Sequence, residues 1–154
     1  MFYFFIDHKL KYKYSALSAI LSGGLSGMAL SHSDTGGYTE FRERIYNMLR
    51  TEEMLIRWME METFSGSMLR THPGLLPTLS AQVNTSSATL ASTKFCSKIH
   101  SLLHPYRVVL MDEAAAYGYP LARFMFLEFP NDSEAWQVTG TYSSEGASIA
   151  NGAL

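Results

Sequence analysis

An α/β fold organised on parallel strands is what this sequence predicts, and three observations carry the prediction. The small-residue apolar run 25–30 opens directly onto Ser31-His32-Ser33-Asp34-Thr35-Gly36-Gly37-Tyr38, a stretch holding an imidazole, a carboxylate, a Gly-Gly turn and a phenol. A second short run, 67–69, opens onto Arg70-Thr71-His72-Pro73-Gly74. A helical pattern lies between the two. Short strands that end in polar, glycine-containing loops and alternate with helices are the grammar of a β/α barrel, whose chemistry sits at the C-terminal ends of the strands.

Each element follows from local pattern. Residues 14–21 place Leu17, Ile20 and Leu21 at helical spacing, and Gly23-Gly24 is the expected stop. Residues 25–30 read as a strand buried on both faces, as parallel strands are. Residues 31–39 form the first polar loop, and Thr39 or Thr51 suits the cap of the helix that follows. That helix spans 41–64, in one or two pieces. Its second half carries Met54, Leu55, Trp58 and Met61 on one face, with Glu53 and Arg57 as an i, i+4 pair on another. Residues 67–70 are the second strand. Residues 71–88 are a loop long enough to hint at function or an insertion. Residues 89–103 predict a helix with Leu90, Cys96, Ile99, Leu102 and Leu103 inward. Pro105 suits the first turn of a next helix, 106–117, closed by Gly118. Residues 120–129 read as a last strand, with Leu121, Phe124, Phe126 and Phe129 apolar, and 137–154 as a loose tail.

Composition limits the functional classes. The 154 residues suffice for one domain with a substantial core, and a hydrophobic content of 47% argues against disorder. A net charge of −2, with 12 basic residues that form no long stripe, argues against a nucleic-acid partner. The single cysteine, Cys96, rules out an intrachain disulfide and a cysteine-only metal site. Residues 1–6 are apolar, but their charges come after them (Asp7, His8, Lys9), the reverse of a secretory signal. Residues 14–30 lack charge but are broken by Gly23, Gly24 and Gly27. A buried helix leading into a strand is therefore read in preference to a membrane span, and no membrane partner is expected. Asn84-Thr85-Ser86 and Asn131-Asp132-Ser133 fit a glycosylation pattern common by chance.

Ser31, His32 and Asp34 invite a nucleophilic-triad reading, but triads assemble from distant segments, and neighbours this close rarely meet the geometry. None of the five histidines falls in a metal-binding spacing. A carboxylate and an imidazole at the mouths of two adjacent strands suit a polyhydroxylated ligand: Asp34 accepts from two hydroxyls, His72 donates to one, and Tyr38 stacks on a ring face. Spacing alone leaves a second reading equally open, in which Asp34 and His72 satisfy loop backbone groups.

An ordered set of motifs adds to this. Leu25-Ser26-Gly27 and the 31–38 stretch come first. Leu55-Ile56-Arg57-Trp58-Met59-Glu60-Met61 and Met68-Leu69-Arg70-Thr71-His72 follow. Leu103-His104-Pro105-Tyr106-Arg107, Gly118-Tyr119-Pro120-Leu121-Ala122-Arg123 and Phe126-Leu127-Glu128-Phe129-Pro130-Asn131-Asp132 complete it. Together they resemble the late barrel of glycoside hydrolase family 31, which includes α-glucosidases, α-xylosidases and sulfoquinovosidases. The resemblance implies a partial (β/α)8 TIM barrel, with strand seven at 25–30 and strand eight at 67–70, leading into the first strand of a β-sandwich. It implies a non-matching segment at 1–14, barrel at 15–119, the start of the sandwich at 120–136 and a loose tail beyond. Asp34, Tyr38 and His72 would be substrate-binding, supported by Arg70, Gly36 and Gly37. The Gly-Gly-Tyr ending is similar to the sulfoquinovosidase branch, where the tyrosine helps recognise a sulfonate.

The departures from the family pattern matter as much. Its two catalytic aspartates belong to segments before residue 15, and Met1-Phe2-Tyr3-Phe4-Phe5-Ile6-Asp7 contains no Trp-x-Gly-Asp loop. Leu75 replaces an amide that contacts sugar. The expectation is a fragment of a retaining α-glycosidase, acting on sulfoquinovosides first and α-glucosides next, with a carbohydrate partner, no metal and no cofactor, and inactive alone. The alternative is a non-catalytic product that binds sugar weakly or associates with a full-length relative.

Overall fold

A computed structural model of the protein describes residues 13–43, 47–65 and 67–137. Helix α1 (Lys13–Leu25) runs straight through the expected stop at Gly23-Gly24. It closes later, where the Met28 N–H returns to the Gly23 carbonyl at 2.9 Å. Gly24 serves close packing instead: a Cβ there would lie 2.8 Å from two ring carbons of Pro120 and 3.2 Å from the Ala122 carbonyl oxygen.

The strand expected at 25–30 is not formed, because Leu25, Met28 and Leu30 are exposed rather than buried. Parallel pairing falls one segment later. Ser67 N–H donates to the Ser31 carbonyl at 3.1 Å, Thr35 N–H donates to the Arg70 carbonyl at 2.8 Å, and Thr35 and Thr71 form an isolated parallel bridge. The partial barrel thus survives as a short pair of extended segments, 31–35 beside 67–71.

The helix expected over 41–64 forms only in its second half. Strands β1 (Phe41–Arg42) and β2 (Asn47–Met48) pair antiparallel, the one sheet among the described residues. Helix α2 (Glu52–Ser65) starts where the Thr51 hydroxyl accepts the Met54 N–H at 3.1 Å, which fixes its N-terminus. α2 is the central element. Met54, Trp58 and Met61 pack on Ala16 of α1, while Leu55 and Met59 pack on Ala81 and Cys96. On its outer face Arg57 pairs with Glu60 at 3.2 Å rather than with Glu53, a half-exposed contact worth at most a few tenths of a kcal/mol.

Helix α3 (Ser87–Leu102) opens with a Ser86–Thr89 capping box, and the Ser86 hydroxyl also donates to Glu52 Oε2 at 2.6 Å, tying the starts of α2 and α3 together. Cys96 faces inward as expected, but Leu90 and Leu102 are exposed. Helix α4 (His104–Tyr117) has proline in its first turn and ends at Gly118 in the left-handed conformation, both as the sequence predicts.

The strand expected at 120–129 is replaced by the one-turn helix α5 (Met125–Glu128). No strand lies beside this segment among the described residues, so its backbone closes local bonds, Leu127 N–H to Phe124 and Phe129 N–H to Met125. Its aromatic side chains stack, Phe124 on Phe126 and Phe126 on Trp136 of helix α6 (Ser133–Gln137), at 5.3 and 4.6 Å between centroids. Buried Arg123 joins α4 to α5 through Glu113 and Glu128. The sandwich strand is therefore absent from the described residues. The expected tail lies outside them apart from Gln137, and the 1–14 segment lies outside them apart from the start of α1. No described helix is long and apolar enough to cross a membrane.

The two neighbouring glycines of α1 yield a paired test. Gly24→Ala forces the rigid Pro120 ring aside and should cost about 1–3 kcal/mol. Gly23→Ala meets only the flexible Met28 side chain, at 3.4 Å from sulfur, and should gain up to about 1 kcal/mol of helix propensity. Urea denaturation of both variants checks the opposite signs.

Candidate functional site

The parallel pair brings the two polar loops side by side. Asp34 precedes the bridged Thr35, and His72 follows the bridged Thr71, so both stand at the C-terminal end of a segment. Asp34 is half-buried, and its Oδ1 is enclosed without a hydrogen-bond partner. The Asp34 carbonyl accepts the Gly37 N–H at 2.7 Å, closing a turn in which Gly36 and Gly37 have φ of +86° and +83°. A side chain on Gly36 would also run into Arg50 and Leu55, so glycine is required there on two counts. The turn delivers Tyr38 against His72, their ring centroids 4.3 Å apart and the planes tilted by 57°. His72 Nδ1 accepts the Gly74 N–H at 3.0 Å, which leaves Nε2 as the nitrogen that carries the proton when the ring is neutral. Of the residues singled out by sequence, Tyr38 and His72 meet, Gly36 and Gly37 shape the turn, and Arg70 contributes its backbone carbonyl while its side chain is exposed. Leu75 is exposed.

The residues that hold this arrangement were not among those singled out. Arg50, buried before α2, donates from Nε to the Ala81 carbonyl at 2.7 Å, from one terminal nitrogen to Gly37 at 3.2 Å and His72 at 2.9 Å, and from the other to Pro73 at 3.4 Å. Burial lowers the Arg50 pKa, and Glu40, 4.0 Å away and equally buried, opposes that shift. Glu40 in turn accepts the Leu76 N–H at 2.7 Å, and its carboxylate fills the space that a side chain on Gly74 would need. Gln82 completes the long loop by donating to the carbonyls of Pro73, Pro77 and Ser80.

A second buried acid lies on the other side of Asp34. Glu62 Oε1 accepts both the N–H of Ser33, at 3.0 Å, and its hydroxyl, and the Ser33 oxygen accepts the Trp58 indole N–H at 2.7 Å. Burial pushes the Glu62 carboxyl above the ordinary carboxylate range, and the Ser33 bonds and nearby His32 pull part of the way back. The sequence does carry one signal for Glu62, since it stands four residues after Trp58 on the apolar face of α2. Nothing in the sequence marks Arg50 or Glu40 as buried. Among the described residues no cluster of histidine, cysteine or carboxylates fits a metal ion.

Comparison with known proteins places this arrangement in context. Residues 7–107 match the model of the glycosyl hydrolases family 31 TIM-barrel domain. The sulfoquinovosidase of Agrobacterium fabrum is 35% identical over 128 residues, 83% of this chain and 18% of the relative. The sulfoquinovosidase of Escherichia coli is 31% identical over the same shares. A solved sulfoquinovosidase from E. rectale, in complex with an aza-sugar inhibitor, superposes with a TM-score of 0.77 at 30% identity, covering 87% of this chain and 20% of that one. The chain thus spans about a fifth of the length of these relatives.

Two expectations follow from the buried charges. Arg50→Lys keeps the charge but cannot reach four carbonyls from one point, and should lower stability by about 3 kcal/mol and abolish the nuclear Overhauser contacts between Tyr38 and His72. For Glu62 the folded-state pKa is raised, so its contribution to stability is full below the unfolded-state pKa and is lost as pH rises through the folded one. Glu62→Gln should therefore gain stability relative to the wild type as pH is raised from the carboxylate range to neutrality, read as the difference in urea midpoints at each pH.

Proposed function

The chain belongs to glycosyl hydrolase family 31, and on that premise we propose that it forms the late-barrel part of a retaining α-glycosidase and supplies part of its substrate subsite. The observation that carries this is the Tyr38–His72 ring pair at the mouth of two parallel segments, with the half-buried Asp34 at the end of the first. Asp34 accepts hydrogen bonds from sugar hydroxyls, and the Nε2–H of His72 donates to another. Tyr38 presents a ring face and a hydroxyl at the rim. The preferred substrate is a sulfoquinovoside, with an α-glucoside next. Support for that order comes from the Gly-Gly-Tyr ending and from the two relatives named sulfoquinovosidase. The nucleophile and the acid/base carboxylate come from protein outside this chain, since retaining chemistry needs two carboxyl groups facing each other across the scissile bond. The barrel part runs over 15–119, with 120–136 leading toward the next domain.

A second reading, a non-catalytic product that binds sugar weakly or associates with a full-length relative, is favoured by the apolar surface of α3 and α4. Phe95, Leu102 and Val109 are 65%, 70% and 64% exposed, a surface fit to meet protein.

The purified chain should not hydrolyse a chromogenic α-sulfoquinovoside, and measurable turnover would overturn the division of labour. In a form carrying the complete barrel, His72→Ala should lower kcat/KM by roughly 100-fold with little change in melting temperature. Tyr38→Phe should cost sulfonated substrates about 1.5–3 kcal/mol and neutral ones less. Equal losses for both substrates would remove the sulfonate preference.

A further inference from the structure

Ser33 stands directly before Asp34 and is held from two sides. Its N–H and its hydroxyl both donate to Glu62 Oε1, and its oxygen accepts the Trp58 indole N–H. Trp58 and Glu62 lie one turn apart on α2, each with 0% of its surface exposed. On the far side, Thr35 N–H is anchored to the Arg70 carbonyl. The Asp34 backbone is therefore suspended between two fixed residues. Its Oδ1 is enclosed and unbonded, so no hydrogen bond of that oxygen sets the direction of the carboxylate. Glu62 is an expensive way to fill this space. Burying a carboxyl group is costly even when one oxygen is bonded, and the second oxygen, Oε2, has no partner. An apolar side chain would pack α2 without that cost. What an apolar side chain cannot do is bind the Ser33 N–H and hydroxyl together.

We propose that Glu62 is the positioning residue for Asp34, acting through Ser33 to fix the backbone from which the Asp34 carboxylate reaches a sugar. This deepens the reading of Asp34 as a substrate group and rests on it. The titratable group that faces Glu62 is His32, which precedes Ser33 on the same segment. From α2 itself the facing group is the Trp58 indole, a neutral donor.

The test uses the 154-residue chain and two readouts. The first needs no ligand. In nitrogen-15 spectra, Glu62→Ala should move the Trp58 indole signal and the Ser33 and Asp34 amide signals. Glu62→Gln, whose amide oxygen still accepts both Ser33 donors, should leave them near their wild-type positions. Thr63→Ala is the control for general loosening of α2, because the Thr63 hydroxyl bonds the Met59 carbonyl of its own helix. Signals that stay in place in Glu62→Ala, or that move as far in Thr63→Ala, overturn the proposal. Should Glu62→Ala fail to fold, Glu62→Met fills the space without accepting either Ser33 donor, and unmoved Ser33 and Asp34 amide signals in that variant overturn the proposal equally.

The second readout is binding of methyl α-sulfoquinovoside. Glu62→Ala should weaken it about tenfold, the scale of a misplaced group, while Glu62→Gln holds it within about twofold. Wild-type affinity in Glu62→Ala overturns the proposal. If the wild-type chain does not bind the probe, the substrate role of Asp34 fails, and the spectra still decide whether Glu62 positions that segment.

Discussion

One guanidinium holds the candidate site together. Loops carry backbone carbonyls that no helix or sheet satisfies, and burying them unpaired is costly. Arg50 meets four such carbonyls, of Gly37, His72, Pro73 and Ala81, from a single planar group. Two of them belong to the residues on either side of the Tyr38–His72 contact, so the distance between those rings depends on Arg50 before it depends on the rings. The charge is balanced by Glu40, which also occupies the room left by the missing side chain of Gly74. Glycine at 36 and 74, the acid at 40 and the arginine at 50 form one packing unit.

The two buried acids near the site are treated in opposite ways. Glu40 faces a full positive charge and a backbone N–H. Glu62 is met by a backbone N–H, a hydroxyl relayed from an indole, and His32 nearby. A carboxylate held mainly by dipoles is less stable in its charged form than one beside an arginine, which is why burial dominates the Glu62 shift.

What the sequence made legible follows from what leaves a local trace. The Thr51 cap of α2, the proline in the first turn of α4 and its glycine stop are local chemistry, and they stand where expected. The paired segments were expected at 25–30 because buried parallel strands normally read as apolar runs. Here the bonded residues are Ser31, Thr35, Ser67 and Arg70, so the pairing leaves no apolar pattern, and the first segment falls several residues late. Aromatic residues at 124 and 126 imitate strand alternation, whereas Phe124 stacks on Phe126 and Phe126 on Trp136. Asp34, Tyr38 and His72 could be singled out because polar residues at strand ends carry meaning. Arg50 and Glu40 could not, since a charge flanking a helix looks the same in sequence whether it faces solvent or a set of carbonyls.

The distribution of satisfied and unsatisfied groups separates recognition from the rest of the molecule. Around Asp34, Tyr38 and His72 the loop backbone is bonded from within the chain, by Arg50 and Gln82 on one loop and by Glu62 before the other, while Asp34 Oδ1, Thr35 Oγ1, Glu40 Oε1 and Glu62 Oε2 are buried without a partner. The faces of α3 and α4 are different. Phe95, Leu102 and Val109 are exposed, and α4 buries no residue fully. Apolar area of that kind is stabilised only by contact with more protein. The loops around Asp34 and His72 are thus fixed by bonds within the chain, whereas the apolar flank of α3 and α4 is left open.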